Sequence, residues 1–251
     1  MCSSVAKNEG IMSAEILNLL RKYDTPTVCN VVELFDARPR TAGYMDARIQ
    51  ACYPKLPPMV GYASTATFRS ATLPRAGNVY SGLAEQVAAF ASLPQPIVVV
   101  FQDLDDPPAA ATFGEIMCTT YKRFGAVGLI TSGAGRDLDQ CEALNFSCFT
   151  RGTISAHGYC HIERINVPVR VGGVTIHPGD LLHGDRNGVT TIPNDMAAPV
   201  AHGCADYMAA EAVVLDYLKS AAVDAKGYAA ARKECQRQID ALATRLKTGR
   251  D

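Results

Sequence analysis

Apolar residues recur at helical spacing near the start of the chain and at strand-like spacing further on. Ser13 precedes the stretch AEILNLLRKY, and Thr25 with Pro26 then supplies a cap and a first-turn proline for a second helix through about Phe35. Residues 41–59 show no period and contain three prolines, which is typical of an irregular connection. Two helices followed by a long loop are therefore predicted.

The centre of the chain alternates between predicted strands and helices. Residues 60–68 alternate as a strand, residues 97–101 and 127–131 form short continuous apolar runs, and the segments between and after them have helical character at 81–93, 114–124 and 137–144. Continuous apolar runs are typical of strands that are buried on both faces of a parallel sheet. The pattern predicts an α/β fold with parallel βαβ packing.

The second half of the chain has a different character. Residues 147–192 contain β-rich pieces divided by turn sequences at Gly172-Gly173, Pro178-Gly179-Asp180 and Asn187-Gly188, so short strands and turns are predicted. From Asn194 onward the residues are rich in alanine and helical, with residues 224–227 as the expected break between two helices.

Composition narrows the class of protein. A chain of 251 residues with 48% apolar and 20% charged residues is expected to bury one core as a single domain. Its 24 basic and 25 acidic side chains give a net charge of -1, so no overall field favours nucleic acid or a membrane surface. The polar N-terminus, the lack of a membrane-length apolar run and nine scattered cysteines without a CxxC pair favour a cytoplasmic protein.

The most informative stretch for chemistry runs from Leu129 to Asp137, where an apolar strand leads into small residues and then into Arg136 and Asp137. Ligand sites of α/β sheets lie beyond the carboxyl ends of strands. Arginine offers a planar fork for a carboxylate, and aspartate offers a hard oxygen for a divalent cation. The alternative is a helix cap beside a surface charge.

A second loop of the same kind strengthens the functional interpretation. Residues 107–116 follow the strand at 97–101 and lead into the helix at 114–124, whose first N–H groups would face an anion. Two such helix starts on neighbouring strands would form a pocket.

Several short motifs come in the order and spacing of a known family. They are Gly114-Glu115, Gly133-Ala134-Gly135-Arg136-Asp137, Val167-Pro168-Val169 with Gly172-Gly173-Val174, Pro178-Gly179-Asp180, Asp185, Gly188-Val189 and Ile192-Pro193. Over roughly residues 15–215, and most strongly over 114–193, the chain resembles the RraA-like or 4-hydroxy-4-methyl-2-oxoglutarate aldolase family. Gly135 stands where relatives usually carry a larger side chain.

The resemblance implies a single domain over residues 1–251, with an α/β/β layered fold like that of swivelling domains and C-terminal helices. The core would span about 15–215 and a helical extension about 216–251. It also implies a homotrimer or homohexamer whose active site lies between subunits. The implied reaction is the cleavage of a 4-hydroxy-2-oxo acid such as 4-hydroxy-4-methyl-2-oxoglutarate to pyruvate, with oxaloacetate decarboxylation as a possible second activity.

Roles for individual residues follow from the same resemblance. Asp137 would hold Mg²⁺ or Mn²⁺ largely through water, and Arg136 would bind the substrate carboxylate and the developing oxyanion. Backbone N–H groups of the loop would bind the pyruvyl carboxylate, and two glutamates, one of them from a neighbouring subunit, would hold metal-bound water. The loop residues are Gly114, Glu115, Ile116 and Met117, and the glutamates are Glu33 and Glu211. The lysine positions argue against a Schiff-base aldolase.

Other interpretations remain open at this point. The namesake of the family regulates a ribonuclease by protein contact, and a lyase or hydratase acting on another oxo or hydroxy acid is a third possibility. His157, Cys160 and His161 lie close enough in sequence to raise a zinc site, although a role in shaping the substrate pocket is the alternative. Cys29 and Cys118 are expected to be buried rather than nucleophilic, and Asp180 and Asp185 to hold turns.

Overall fold

The computed structural model describes residues 13–249; the polar segment at residues 1–10 and the last two residues of the predicted extension lie outside that range. The helices it contains are α1 (Ala14–Leu20), α2 (Thr25–Glu33), α3 (Leu83–Ala89), α4 (Glu115–Arg123), α5 (Leu138–Ala143), α6 (Ala197–Lys219) and α7 (Ala225–Thr248). Short 3₁₀ turns follow α3 and precede α6.

The strands are β1 (Gln50–Ala51), β2 (Met59–Arg69), β3 (Ile97–Asp103), β4 (Ala111–Phe113), β5 (Ala126–Thr131), β6 (Ala134–Gly135), β7 (Ser147–Thr150), β8 (Gly152–Thr153), β9 (His161–Ile165), β10 (Val169–Val171), β11 (Val174–Ile176), β12 (Leu181–Asp185) and β13 (Gly188–Ile192). The predicted strands and helices of the centre all have counterparts, and 147–192 is divided into short strands as predicted.

The main sheet has the strand order β1-β7-β5-β3-β2-β12-β13, and β9 also pairs with β2. Strands β2, β3, β5 and β7 run parallel, which confirms the predicted βαβ packing, while the outer strands join antiparallel. Because β2 has eleven residues, its first half pairs with β12 and its second half with β9. The sheet therefore curls around this long strand.

Strand β3 shows why the apolar runs are continuous. Ile97, Val99 and Phe101 belong to a core cluster that includes residues of α4 and α5, whereas Val98 and Val100 belong to a cluster on the opposite face. The opposite face is covered by the β10–β11 hairpin, and helices α1, α2 and α6 cover the part of the sheet near β12. The layered α/β fold that the sequence predicted is confirmed.

The start of α2 differs from the prediction that Thr25 caps it. Asp24 is the N-cap, and its Oδ1 accepts a hydrogen bond from the Thr27 N–H at 2.9 Å. Thr25 instead joins the helix to β12, because its N–H donates to Asp185 Oδ2 at 3.0 Å and its hydroxyl lies 2.9 Å from His183 Nδ1. A carboxylate before Pro26 thus takes the capping position.

The C-terminal part forms a helical hairpin, which we define as α6 and α7 with their connection. The break spans 220–224 and so begins before the predicted 224–227, and Asp224 caps α7 by accepting from the Gly227 N–H at 2.6 Å. The predicted boundary near residue 216 falls inside α6. In the part of the chain that the structure describes, no helix is long and apolar enough to cross a membrane.

Candidate active site

Two short parallel strands bring the two predicted loops together. β4 leads into α4 through Gly114, and β6 leads into α5 through Arg136 and Asp137. β4 and β6 are paired, with Ala111 opposite Ala134 and the Arg136 N–H donating to the Phe113 carbonyl at 3.0 Å. The loops that leave these strands are therefore neighbours, as the sequence predicted.

The loops meet at one oxygen, Asp137 Oδ2. The Glu115 N–H donates to it at 3.0 Å, and Arg136 Nε lies 3.7 Å from it. Gly114 lies so close that a Cβ atom there would be 2.5 Å from this oxygen and 3.1 Å from Arg136 Nε. A side chain at position 114 would force the cluster apart, which explains the glycine.

Asp137 occupies the N-cap position of α5 but does not act as its cap. Its backbone is left-handed with φ 53°, and its side chain makes no capping bond to α5. Such a conformation is costly for a residue other than glycine and is held in place by its surroundings. The carboxylate therefore does not cap α5 and instead accepts from the N–H of Glu115 at the start of α4.

A cavity of about 160 Å³ opens beside this cluster. Residues 114–117, Arg136 and Asp137 line one part of it, and Tyr80, Leu83, His157 and Cys160 line another. The N–H groups of Ile116 and Met117 belong to the first turn of α4 and have no acceptor among the described residues. These two donors are available to an anion, whereas the Glu115 N–H, which the prediction also assigned to the substrate, is bound to Asp137.

Tyr80 and Leu83 form the wall that sequence reasoning missed. Tyr80 has φ 72°, its N–H donates to the Cys160 carbonyl at 2.8 Å, and its ring centre lies 5.5 Å from that of His157. Contacts between segments this far apart in the chain have no local signal. Only the neighbouring Asn78 and Gly82 marked a turn in this region.

The glycine at position 135 is explained by packing rather than by ligand binding. A Cβ atom at this position would overlap the ring of Phe113, which is 2% exposed and packs in the core below β6. The larger side chain that relatives usually carry here is thus replaced by an aromatic ring from the neighbouring strand.

The two predicted glutamates lie away from this cavity within one chain. Glu33 pairs with Arg40 at 3.7 Å and lines a separate cavity of about 290 Å³ that Tyr207 and residues of α7 also line. Glu211 is half-buried on α6; burial raises its pKa, and the nearby Asp24 carboxylate adds to the effect. Their roles stay predictions that require a second subunit.

Asp103, at the end of β3, is a further group that sequence reasoning missed. It is 8% exposed, and its Oδ1 accepts from the Asp105 N–H at 2.9 Å, while Oδ2 has no hydrogen-bond partner among the described residues. Burial raises the pKa of this carboxyl to about 6. A Cβ atom on Gly133 would overlap Oδ2, so the group lies directly behind the loop that carries Arg136.

The remaining candidates serve the fold. His161 bonds the Tyr159 carbonyl at 2.6 Å and Glu163 at 3.1 Å, and residues 13–249 contain no group of three or more His, Cys, Asp or Glu that could hold a metal. Asp180 and Asp185 accept backbone N–H groups in their turns, as predicted. Cys118 is buried, and burial raises the pKa of the Cys29 thiol, which is the opposite of what a nucleophile needs.

Comparison with solved structures gives the same fold. An uncharacterized protein from Pseudomonas syringae pv. tomato has a TM-score of 0.69 at 21% identity, over 92% of this chain and 99% of that chain. RraAS2 of Streptomyces coelicolor, described as an unusual member of the RNase ES inhibitor RraA protein family, has a TM-score of 0.64 at 21% identity, over 80% of this chain and 96% of that chain.

Sequence comparison identifies the family. A Halalkalibacterium halodurans protein provisionally named 4-hydroxy-4-methyl-2-oxoglutarate aldolase is 40% identical over 112 residues, which is 44% of this chain and 52% of that protein. The aligned part thus spans about half the length of this relative. A family model described as Aldolase/RraA matches residues 25–191. Because this match covers more than half of the 251 residues, the chain belongs to the RraA-like family.

Proposed function

We propose that the chain is a divalent-metal-dependent lyase that cleaves 4-hydroxy-2-oxo acids of the 4-hydroxy-4-methyl-2-oxoglutarate type to pyruvate, and that the same site decarboxylates oxaloacetate. The observation that carries this proposal is the meeting of Arg136, Asp137 and the start of α4 around one carboxylate oxygen. The cluster pairs a cation that suits a substrate carboxylate with an oxygen ligand that suits a divalent ion. The provisional name of a curated relative supports the same reaction class.

Asp137 would hold the metal ion, Mg²⁺ or Mn²⁺. Its Oδ2 is held by the Glu115 N–H, whereas no described residue donates to its Oδ1. Mg²⁺ is commonly bound by one or two protein carboxylates and keeps several of its waters. One free carboxylate oxygen, with the Glu115 side chain lining the same cavity, suits such an ion.

The residues of this chain would bind and orient the substrate. The C1 carboxylate would take the N–H groups of Ile116 and Met117, with Arg136 beside the 2-oxo group. When the C3–C4 bond breaks, negative charge develops on that oxygen, and a fixed guanidinium stabilises it. A bound divalent cation would supply Lewis-acid stabilisation of the same charge. Loss of CO₂ from oxaloacetate leaves the same pyruvate enolate, so one set of groups serves both reactions.

We further propose that the site is completed between subunits of a homotrimer or homohexamer. Ile116 and Tyr80, at the cavity, are 80% and 52% exposed, which is unusual for large apolar side chains beside a buried cluster. Glu33 and Glu211 would reach the cavity only from another copy. A neighbouring subunit would cover the apolar rim and supply those carboxylates.

The test is pyruvate release from 4-hydroxy-4-methyl-2-oxoglutarate and from oxaloacetate, with Mg²⁺ or Mn²⁺ and with EDTA. We expect metal-dependent turnover, and a loss of at least about 100-fold in Arg136→Ala and Asp137→Asn, because the first removes the cation beside the developing oxyanion and the second removes the proposed metal ligand. Arg151→Ala is the matched control, since Arg151 is bound to the exposed Asp106 at 2.7 Å outside this cavity.

The opposite result has a clear meaning. If folded, oligomeric wild-type protein released no pyruvate from either substrate at any metal concentration, the lyase proposal would be rejected. The regulator that acts by protein contact, and a lyase or hydratase for another oxo or hydroxy acid, would then be the functions to test.

A further inference from the structure

The cavity has a second wall whose side chains have no role in the reaction proposed above. His157 is the one imidazole among the described residues that line it. The Arg136 Nη1 atom donates to the Ser155 carbonyl at 3.5 Å, so the segment that carries His157 lies beside Arg136. A substrate with its C1 carboxylate at the start of α4 and its 2-oxo group beside Arg136 would therefore extend toward this imidazole.

The imidazole stands on a firmly anchored turn. The Cys160 N–H donates to the His157 carbonyl at 3.1 Å, and the Tyr159 N–H donates to the Ser70 carbonyl at 2.9 Å. Gly158 is left-handed with φ 50°, and a Cβ atom there would be 2.7 Å from the Ser70 carbonyl oxygen. The turn is thus tied to the end of β2, and the Tyr80 ring fixes the other side of the imidazole.

The hydrogen bond of His157 determines which ring nitrogen is free. Nδ1 lies 2.9 Å from the Gly158 carbonyl oxygen, which only accepts, so Nδ1 carries the proton in this contact. In a neutral imidazole the other nitrogen, Nε2, is then an acceptor with a lone pair. No described residue forms a hydrogen bond with Nε2 of His157.

Apart from the phenol of Tyr80, whose ring packs against His157, the other titratable groups of the cavity are less suited to this role. Arg136 has no acceptor, and Asp137 is assigned to the metal. Burial raises the pKa of the Cys160 thiol, which keeps it protonated. Glu115 opens α4, at the end of the cavity where the substrate carboxylate would bind.

We infer that His157 is the general base that accepts the proton of the substrate's 4-hydroxyl group; this inference rests on the proposed lyase function. Nε2 takes the hydroxyl proton, the O–H electrons form the carbonyl double bond at C4, and the C3–C4 electrons pass into the pyruvate enolate. Protonation of C3 from water completes pyruvate, and His157 returns its proton to water. The atoms and charges balance without a further reactant.

The decisive variant is His157→Gln, which keeps a hydrogen-bond acceptor but has no basic nitrogen. Aldol cleavage should lose about 100- to 10,000-fold in kcat with a small change in KM, the range that a positioned general base contributes. Oxaloacetate has no 4-hydroxyl proton to remove, so its decarboxylation should change less than about threefold. His177→Gln, an exposed histidine with 61% side-chain exposure outside the cavity, is the matched control.

Tyr80→Ala supplies an independent measurement, because Tyr80 is a positioning residue for the imidazole. It should lower aldol cleavage more than decarboxylation, in the same direction as His157→Gln but to a smaller extent, and Tyr80→Phe should retain most of the activity since the ring contact remains.

Three outcomes would overturn the assignment of His157. An unchanged aldol rate in His157→Gln would show that another group takes the proton. Equal losses in both reactions would show that His157 only shapes the cavity. Wild-type protein without either activity would remove the lyase function itself, and the inference with it, so the two failures are distinguishable.

Discussion

The loop cluster around Arg136 and the helical hairpin at the C-terminus each contain a glycine in close contact with a side chain, but the two contacts hold different things in place. In the loop cluster, small residues are fixed by close approach, so that a single added carbon at Gly114 meets Asp137 and Arg136. In the helical hairpin, a Cβ atom on Gly227 would overlap the Tyr217 side chain at its hydroxyl oxygen, would lie 2.6 Å from its Cζ, and so would disturb the connection between α6 and α7. The close contact in the first region involves the proposed site, and that in the second involves only the connection between two helices.

The family match follows the same division. It covers residues 25–191, which include the loop cluster, and ends before α6 begins at Ala197. The helical hairpin buries only Ala231, Cys235 and Leu242 from its second helix and leaves Leu215 and Leu218 exposed. The proposed site therefore lies within the matched range, and the helical hairpin lies outside it.

The largest difference in activity between the two regions is expected when one methyl group is added at position 114. Gly114→Ala would place a carbon 2.5 Å from Asp137 Oδ2, so the carboxylate and Arg136 must move apart. We expect kcat/KM for pyruvate formation to fall by about 100-fold or more, as for other displacements of about 1 Å at catalytic groups. Steady-state kinetics with oxaloacetate provides the measurement.

Gly227→Ala is the matched change in the helical hairpin. The Tyr217 side chain must move and lose its bonds to Asp224, which costs stability, but neither residue lines the cavity of Arg136. Activity should therefore stay within about twofold of wild type. Equal losses of activity in both variants would contradict the proposal that the loop cluster, and not the helical hairpin, forms the site.

A second effect concerns stability and pH. The pKa of Asp103 is raised from 3.8 to about 6 in the folded protein because the carboxyl is buried. A raised folded-state pKa means that ionisation destabilises the fold, fully above about pH 6 and not below about pH 4. Asp103→Asn should therefore increase the free energy of unfolding by about 1–3 kcal/mol at pH 8, a gain that disappears near pH 4.

Chemical denaturation at several pH values measures this effect, and Asp216→Asn is the control from α6. Asp216 is 71% exposed and pairs with Lys219 at 3.2 Å, so its loss should change stability by less than about 0.5 kcal/mol at any of these pH values. A pH-independent effect of Asp103→Asn would mean that folding does not shift the pKa of this carboxyl.

The sequence predicted those features that depend on local periodicity and on strand ends. The apolar runs at 97–101 and 127–131 marked β3 and β5, and the motif around Arg136 marked the loop that joins Gly114. Parallel strands bring their carboxyl ends to one edge, so this meeting follows from topology alone. The prediction succeeded because each step used neighbours in sequence or in the sheet.

Other features depend on distant segments and were beyond the sequence. Tyr80 reaches His157 through the hydrogen bond from its N–H to the Cys160 carbonyl, a contact that no local pattern encodes. The predicted cap of α2 was wrong because Thr25 and Asp24 both suit that position. In the structure Thr25 is hydrogen-bonded to Asp185 and His183, and Asp24 is the cap. Glu33 and Glu211 stay predictions because their partners would lie on another chain.

The smallest expected effect lies in the connection of the helical hairpin. The Tyr217 hydroxyl accepts from the Asp224 N–H at 2.8 Å and donates to the Asp224 carbonyl at 3.0 Å, so it closes the turn between α6 and α7. Tyr217→Phe removes both bonds at an exposed site and should cost about 0.5–1.5 kcal/mol of unfolding free energy. Urea denaturation measures the cost, and Tyr228→Phe, at a 44% exposed tyrosine, is the control.

Pyruvate formation should stay at the wild-type rate in both variants, because neither residue lines the cavity of Arg136. A loss of activity in Tyr217→Phe alone would mean that the helical hairpin takes part in the site of the assembled protein.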